Sequence, residues 1–506
     1  MQRDRSRPTG WVLLALIAAT GCGESGTAAE DAGAPDAEAP ADAGRDLPLP
    51  TQVEVDESHP TPPGADFAAS ATEYAAAFSA KELCTRVFVA GGDPNDTLRF
   101  EVRLLGLAAE GFDIARAAID IDEAARRVTV EHPDDPPRTA VHAESQGCVI
   151  LPRGEDALFF EPQTIPWEGP PEDAPWPLGE TLVPGESPID RDGLERAMDA
   201  HIARAGMRAM AVVHRGELVA ERYAEGYGPR VPQRGWSTGK SVMATAVGRL
   251  IDREVLGLDD PAPVAAWQGD SRRDITIRNL VHMSSGLDQT RLFGFDSFFS
   301  AENEHGFIYI EGFDTLADAI EVSPGAFAPG TEYSYLNTNV LTVTAVAQLA
   351  YQRAGGNPMA LFQREVFEPL GMRSSIVEVD PYGHFIVCGA FFTTVRDLAR
   401  LALAHMDDGM LGGERVLSET WARFAYAPSE GFAGYGAYWR NNLDGRFDLP
   451  TDAFFANGGF GQKSVAIPSR DLVVAQMGFD PLTDFENFET FVNDVVAVAD
   501  AIPEGR

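Results

Sequence analysis

In the stretch Trp236-Ser237-Thr238-Gly239-Lys240-Ser241 a hydroxyl and an amine stand three residues apart. Residues i and i+3 share one face of a helix, so Ser237 Oγ and Lys240 Nζ fall within hydrogen-bonding reach of each other. A serine hydroxyl becomes a useful nucleophile when an adjacent base takes its proton. A lysine can be that base where burial and neighbouring positive charge keep it neutral. The helix is predicted from Val242, Ala246, Val247, Leu250 and Ile251, which follow one apolar stripe. Its N-terminus then lies at Ser237, where free N–H groups and the helix dipole favour an alkoxide and an acyl oxyanion.

Gly239-Lys240-Ser241 also carries the closing letters of the phosphate-cradling loop G-x-x-x-x-G-K-[ST]. That loop needs glycine five residues before Gly239, where this chain has Arg234, and Gly235 is out of register. A side chain at that point blocks the approach of backbone to phosphate, so the nucleotide reading is set aside. Because S-x-x-K also arises by chance in a chain of 506 residues, the pair gains meaning only with partners.

Two partners follow downstream. Tyr335-x-Asn337 offers a phenol and an amide that can relay a proton to a leaving group and hold a substrate carbonyl. Near the C-terminus, Asn457-Gly458-Gly459-Phe460-Gly461-Gln462 leads into a strand-like run from Ser464 to Ile467. Glycines at a strand edge let a substrate lie against bare backbone, and an N–H there can complete an oxyanion hole with the N–H of Ser237.

From about Arg208 onward the chain resembles the serine hydrolases of the class C β-lactamase and DD-peptidase type, especially the 6-aminohexanoate-dimer hydrolase-like branch. The resemblance rests on Gly235-Trp236-Ser237 with Lys240-Ser241, Leu256-Gly257-Leu258-Asp259-Asp260-Pro261, the segment from Ile275 to Leu287, Pro329-Gly330-Thr331, Glu368-Pro369-Leu370-Gly371-Met372, Thr394-Val395-Arg396-Asp397 and the segment from Pro468 to Val474. It implies an acyl-enzyme on Ser237, with Lys240 as base, Tyr335 as proton shuttle, and Asn337 orienting the substrate and Lys240. The second oxyanion N–H would come from Gly461 or Gln462. Gly459-Phe460-Gly461 stands where the family has Lys-Thr-Gly or His-x-Gly. Losing that cation disfavours substrates with a carboxylate and favours neutral amides or esters. Tyr333 is a second candidate phenol, although the spacing to Asn337 favours Tyr335.

Location is read from the N-terminus. Arg3, Arg5 and Arg7 precede a short apolar run from Trp11 to Ala19 and then Thr20-Gly21-Cys22. The run is too short for a membrane span and suits a signal peptide over residues 1–21. Small residues before a cysteine resemble a lipobox, so Cys22 is expected to carry lipid, and Gly23 after it points by family analogy to an outer membrane. The chain is therefore expected to be exported, reaching a membrane only through that anchor. Residues 22–64, rich in Ala, Pro, Asp, Glu and Gly, are expected to form a disordered acidic tether. The formal net charge of -37 argues against nucleic-acid partners and against adhesion to anionic lipid.

Besides Cys22 the chain has Cys84, Cys148 and Cys388. In an exported chain Cys84 and Cys148 are the natural disulfide pair, although other pairings are compatible with the sequence. Cys388, among apolar neighbours, is expected to be a buried thiol. Clustered metal ligands are missing from the sequence, so neither metal nor other cofactor is expected.

Residues 65–161 form an N-terminal accessory region with strand candidates at 99–105 and 128–131. Residues 162–188 are a Pro/Gly-rich linker, and residues 189–506 are the hydrolase region. In that last region a helix ends near Arg204, a hairpin turns at Arg215-Gly216, and strands are predicted at 435–439, 464–467 and 472–477, before an amphipathic helix over 485–501. Strands at both ends with helices between them predict one sheet built from separated parts of the chain. The resemblance implies the same α+β class: a β-lactamase/transpeptidase-like antiparallel sheet with flanking helices and a helical subdomain. Thr394 and Asp397 are spaced like a capping box. His282 is expected to be structural and His384 has no assigned role. Phe293, Phe295, Phe298, Phe299, Phe307 and Phe313 are candidates for a wall over the cleft.

The leading expectation is a serine hydrolase acting on a small amide or ester. The alternatives are a DD-peptidase and a penicillin-sensing module that acylates without turnover.

Overall fold

The computed structural model describes residues 70–98, 102, 112–133, 135–183, 185, 187–204, 206–288, 324–325, 327–479 and 484–501. The signal peptide, Cys22, the tether, the strand candidate at 99–105 (Val102 apart) and the six phenylalanines between 293 and 313 lie outside these residues.

Helix α1 (Ala71–Cys84) starts at Ser70, whose hydroxyl accepts the Glu73 N–H at 3.0 Å and satisfies one of the free donors of the first turn. Its many alanines let it lie buried from Glu73 to Cys84. It covers an antiparallel meander of β1 (Ala118–Asp122), β2 (Arg127–Glu131), β3 (Arg138–His142) and β4 (Cys148–Ile150). The strand expected at 128–131 is β2. Cys84 and Cys148 form the expected disulfide, tying the end of α1 to β4, and Cys388 is a buried free thiol. Beside the disulfide, Lys81 Nζ meets Glu378 Oε2 at 2.8 Å and the Cys148 carbonyl at 2.6 Å. Glu378 Oε1 accepts from Thr85 Oγ1 and from the Cys148 N–H, so the buried pair is satisfied from both sides.

The chain from residue 189 onward opens with α2 (Arg191–Ile202) and the hairpin of β5 (Met207–His214) and β6 (Glu217–Tyr223). Arg215 and Gly216, at φ of 53° and 73°, make the tight turn whose twist suits paired strands. Then come β7 (Gln233–Arg234), a 3-10 turn (Trp236–Thr238), α3 (Gly239–Asp252) and α4 (Asn337–Arg353). Beyond them lie β8 (Ile376–Val377), β9 (Phe391–Thr393), α5 (Val395–Met406), the small hairpin of β10 (Met410–Leu411) and β11 (Glu414–Arg415), and α6 (Glu419–Tyr426). Strands β12 (Arg440–Asn441), β13 (Phe454–Gly458), β14 (Gln462–Ile467) and β15 (Leu472–Gly478), with α7 (Asp484–Asp500), complete the described chain.

The central sheet is antiparallel with strand order β12-β13-β14-β15-β5-β6, which unites strands from both ends of the chain beyond residue 189 as the strand pattern predicted. Alternation along each strand divides its side chains between two cores. Met210, Val212, Val465, Val474 and Leu472 face α2 and α7, while Ala209, Ala211, Ala466 and Ala475 join the larger core with α5 and α3. Beside this sheet, β7, β9 and β8 form a three-stranded one that leads directly into the turn bearing Ser237.

Two expectations need correction. Residues 435–439 are not a strand: Tyr438 adopts φ 61°, its N–H turns to the Val281 and Gly436 carbonyls, and the ladder begins only at β12. Thr394 caps α5 by accepting the Asp397 N–H, but the Asp397 carboxylate does not close a capping box. It turns to Arg400 at 2.6 Å and to Ser375 at 2.9 Å.

Replacing both Cys84 and Cys148 by serine should cost about 2–5 kcal/mol, because the unfolded chain regains the entropy of an open loop. Urea unfolding of the two proteins checks this, and an unchanged midpoint would show that the cross-link is dispensable.

Candidate active site

Ser237 sits in the 3-10 turn that feeds α3, half-buried, and Lys240 one turn on is buried at 1% exposure. The predicted i, i+3 geometry is realised, with Lys240 Nζ donating to Ser237 Oγ at 3.0 Å. Nζ also donates to Asn337 Oδ1 at 2.7 Å. Asn337 opens α4, so the starts of two helices meet at one amine. The Tyr335 ring, two residues before α4, lies with its centroid 4.7 Å from Nζ. Among the described residues Lys240 forms no ion pair with a carboxylate.

Tyr333 is placed differently. It packs on Phe432 and Tyr435, at 4.9 and 5.2 Å between centroids, and Tyr335 meets Tyr435 edge-on at 6.1 Å. Burial holds the phenols of Tyr435 and Tyr438 protonated well above the ordinary tyrosine range, and the nearby Tyr335 adds to the shift in both. Those two rings therefore serve as neutral walls.

Gly461 and Gln462 lie where β13 turns into β14. The Gln462 side chain faces away from a ligand role: Nε2 donates to the Phe460 and Gly478 carbonyls, and Oε1 accepts the Gly478 N–H. Its backbone remains beside the Ser237 turn, because Gly458 and Phe460 touch that turn. A Cβ on Gly458 would stand 2.2 Å from the Gly235 carbonyl, so only glycine permits this approach. Phe460 packs on Trp236 with centroids 5.2 Å apart.

Sequence reasoning missed the backbone at Trp236. This bulky residue, immediately before Ser237, takes φ 51°, a left-handed conformation that costs on the order of 1–3 kcal/mol and persists only where packing imposes it. It kinks the chain between β7 and α3 and turns Ser237 out at the bend. Gly458 was read from the sequence as bare backbone for a substrate, whereas its close approach is to the Gly235 carbonyl.

His282 is structural in surroundings as well as in expectation. It packs on Phe424 at 5.0 Å, and burial, with Arg278 nearby, lowers its pKa to about 3.

Residues 192–478 match the family model described as Beta-lactamase. The chain belongs to the beta-lactamase family. This beta-lactamase-family chain is 28% identical to a D-aminopeptidase of Cereibacter sphaeroides over 206 residues, 38% of this chain and 37% of that protein. It is 27% identical to the 6-aminohexanoate-dimer hydrolase of Paenarthrobacter ureafaciens over 236 residues, 43% of this chain and 57% of that protein. The chain thus spans less than two-thirds of the length of these curated relatives. In fold it is similar to a solved structure, a candidate 6-aminohexanoate-dimer hydrolase from Bacillus anthracis, with a TM-score of 0.52, 18% identity and coverage of 66% of this chain and 91% of that one. These likenesses agree with the expected branch and with the α+β, β-lactamase/transpeptidase-like fold.

The depressed His282 pKa makes acid destabilising. The folded protein binds this proton only near pH 3, the unfolded chain near 6.5, so the stability is present above pH 6.5 and is lost as pH falls between those values. His282→Phe should flatten that limb by up to about 1.4 kcal/mol per pH unit. Urea midpoints at pH 7, 5 and 4 measure it, with equal slopes for both proteins as the contrary result.

Proposed function

We propose that this protein is a serine hydrolase that cleaves a small amide or ester bond through an acyl-enzyme on Ser237. The observation that carries the reading is the buried Lys240 amine, 3.0 Å from Ser237 Oγ and 2.7 Å from Asn337 Oδ1, with neutral groups around it. Family membership supports the reaction class.

In this mechanism Lys240 takes the Ser237 proton as Oγ bonds to the substrate carbonyl carbon. The negative charge on the carbonyl oxygen is met by the N–H of Ser237 and by one from Gly461 or Gln462. Tyr335 passes a proton to the departing amine or alcohol as its bond to the carbonyl carbon breaks and is reprotonated by Lys240, which so gives up the proton it took from Ser237. Water then adds to the acyl-enzyme and gives its proton to Lys240, and that proton passes to Ser237 Oγ as the acyl bond breaks, releasing the acid and restoring Ser237 for another cycle. Asn337 fixes the direction of Nζ throughout.

Two features support the substrate class. The curated relatives are named for amide-cleaving activities, which favours an amide. Gly459 is exposed, and an added side chain there would meet nothing within 4 Å, so no cation reaches from this position toward a substrate carboxylate. Neutral amides of small amines fit best.

Ser237→Ala should lower turnover of an amide or p-nitrophenyl ester at least about 10³-fold while the unfolding midpoint stays near that of the parent. Lys240→Met should fall comparably, and Tyr335→Phe less. Undiminished turnover by Ser237→Ala would remove that residue from the chemistry. Stable labelling of Ser237 by penicillin without product release would favour the sensing module, and release of D-alanine from a peptidoglycan pentapeptide would favour the DD-peptidase.

We also place the protein outside the cytoplasm, anchored by lipid on Cys22. The signal-like residues 1–21 support this, as does the Cys84–Cys148 disulfide, a bond that persists in oxidising compartments. Palmitate labelling of the intact chain should vanish in Cys22→Ser; labelling retained by that variant would refute the anchor.

A further inference from the structure

Arg234, which excluded the phosphate-loop reading, has an environment that the hydrolytic mechanism leaves unused. It ends β7, two residues before Trp236, and is buried at 5% exposure. Its Nη2 ion-pairs with the equally buried Glu82 of α1, and its Nη1 donates to the Gly389 carbonyl. The guanidinium carbon lies 4.9 Å from the Trp236 ring centroid, 4.7 Å from that of Phe392 and 5.4 Å from that of Phe78. A planar, fork-shaped cation held by a carboxylate and a carbonyl has a fixed orientation, and it presents a fixed face to an indole. Trp236 also packs on Phe460, so its ring is held by groups from separate parts of the chain.

We infer that Glu82 and Arg234 are positioning residues for the proposed nucleophile, so that the disulfide-closed N-terminal unit is a working part of the hydrolytic site; the inference rests on the Ser237 reading above. The argument is geometric. A bulky residue keeps a left-handed backbone only where its surroundings over-determine it, and Trp236 is the residue whose φ sets the direction of Ser237. Glu82 holds Arg234, Arg234 lies against Trp236, and Ser237 follows. Other charges on α1 do not lead there. Glu73 pairs with Arg138 and Arg153 inside the N-terminal unit, and Lys81 pairs with Glu378 beside the disulfide. A buried ion pair is weak evidence for stability alone, since apolar residues of like size commonly replace one without loss. A pair set against the nucleophile turn has another use, which is to fix orientation.

The test compares Glu82→Gln, the charge-free pair Glu82→Leu/Arg234→Met, and Glu73→Gln as a control on the same helix. Each is measured for kcat and KM on a p-nitrophenyl ester, for the rate of Ser237 labelling by a fluorophosphonate, and for its thermal midpoint. Glu82→Gln and the double variant should lose about ten- to a hundredfold in kcat and in labelling rate with KM little changed, whatever their midpoints. Glu73→Gln should lower the midpoint and leave both rates alone. The double variant guards against a single unpaired charge that merely unfolds the chain. If it folds and keeps the parent kcat, or if Glu73→Gln slows the chemistry as much, the positioning role is overturned. Fluorophosphonate labelling that persists in Ser237→Ala would overturn the parent reading and this inference with it.

Discussion

An amine taken out of water accepts few surroundings, and the Lys240 Nζ is met by two neutral oxygens and an aromatic face. Much of the fold follows from that requirement. Ser237 and Asn337 lie on different segments, so the start of α3 must meet the start of α4. Helix α3 is buried along most of its length, and its close neighbours are accommodated by residues without bulk. A Cβ on Gly239 would come within 1.8 Å of the Val387 carbonyl, and one on Gly248 within 2.1 Å of the Trp421 ring. The small side chains Ala211, Ala466 and Ala475 on the central sheet, which packs against α5, have the same effect of letting layers approach.

Around the amine the backbone is held in conformations that its residues do not prefer. Trp236, Phe460 and Tyr438 all have φ between 51° and 61°, and all three are large aromatics. Each is anchored by its surroundings. Phe460 stacks on Phe479 at 4.8 Å, and the Tyr438 carbonyl accepts the Ser241 hydroxyl at 2.8 Å. Clustered outliers of this sort mark places where a structure accepts local cost for a defined geometry. The buried Glu82–Arg234 pair belongs to the same shell, because it holds one of these three aromatics from the N-terminal side.

What could be read from the sequence follows from distance along the chain. The Ser237–Lys240 relation was legible because i, i+3 spacing is a local property of a helix. The hairpin at Arg215-Gly216 was legible for the same reason, and so were β14 and β15 from their apolar runs. Tyr335 and Asn337 were legible through their short spacing, although only coordinates bring them to Lys240, Asn337 from 97 residues away. Arg234 and Glu82 are 152 residues apart, and no local pattern announces such a pair. Residues 435–439 misled because a run of aromatics reads as a strand until one residue reverses its φ. Asp397 misled because its spacing fits a cap, while Arg400 and Ser375 compete for the same carboxylate.

The order of strands in the central sheet has a consequence for the birth of the molecule. β5 pairs along one edge with β6, its immediate neighbour in sequence, and along the other with β15, with His214 opposite Leu472. A nascent chain therefore carries the Ser237 segment long before the ribosome has delivered the strand that closes the sheet beneath it. Until then one edge of β5 is open and apolar, ready to recruit any other extended segment. Translation stopped short of Leu472 would leave that edge of β5 without its partner, so the central sheet closes only after β15 has been made.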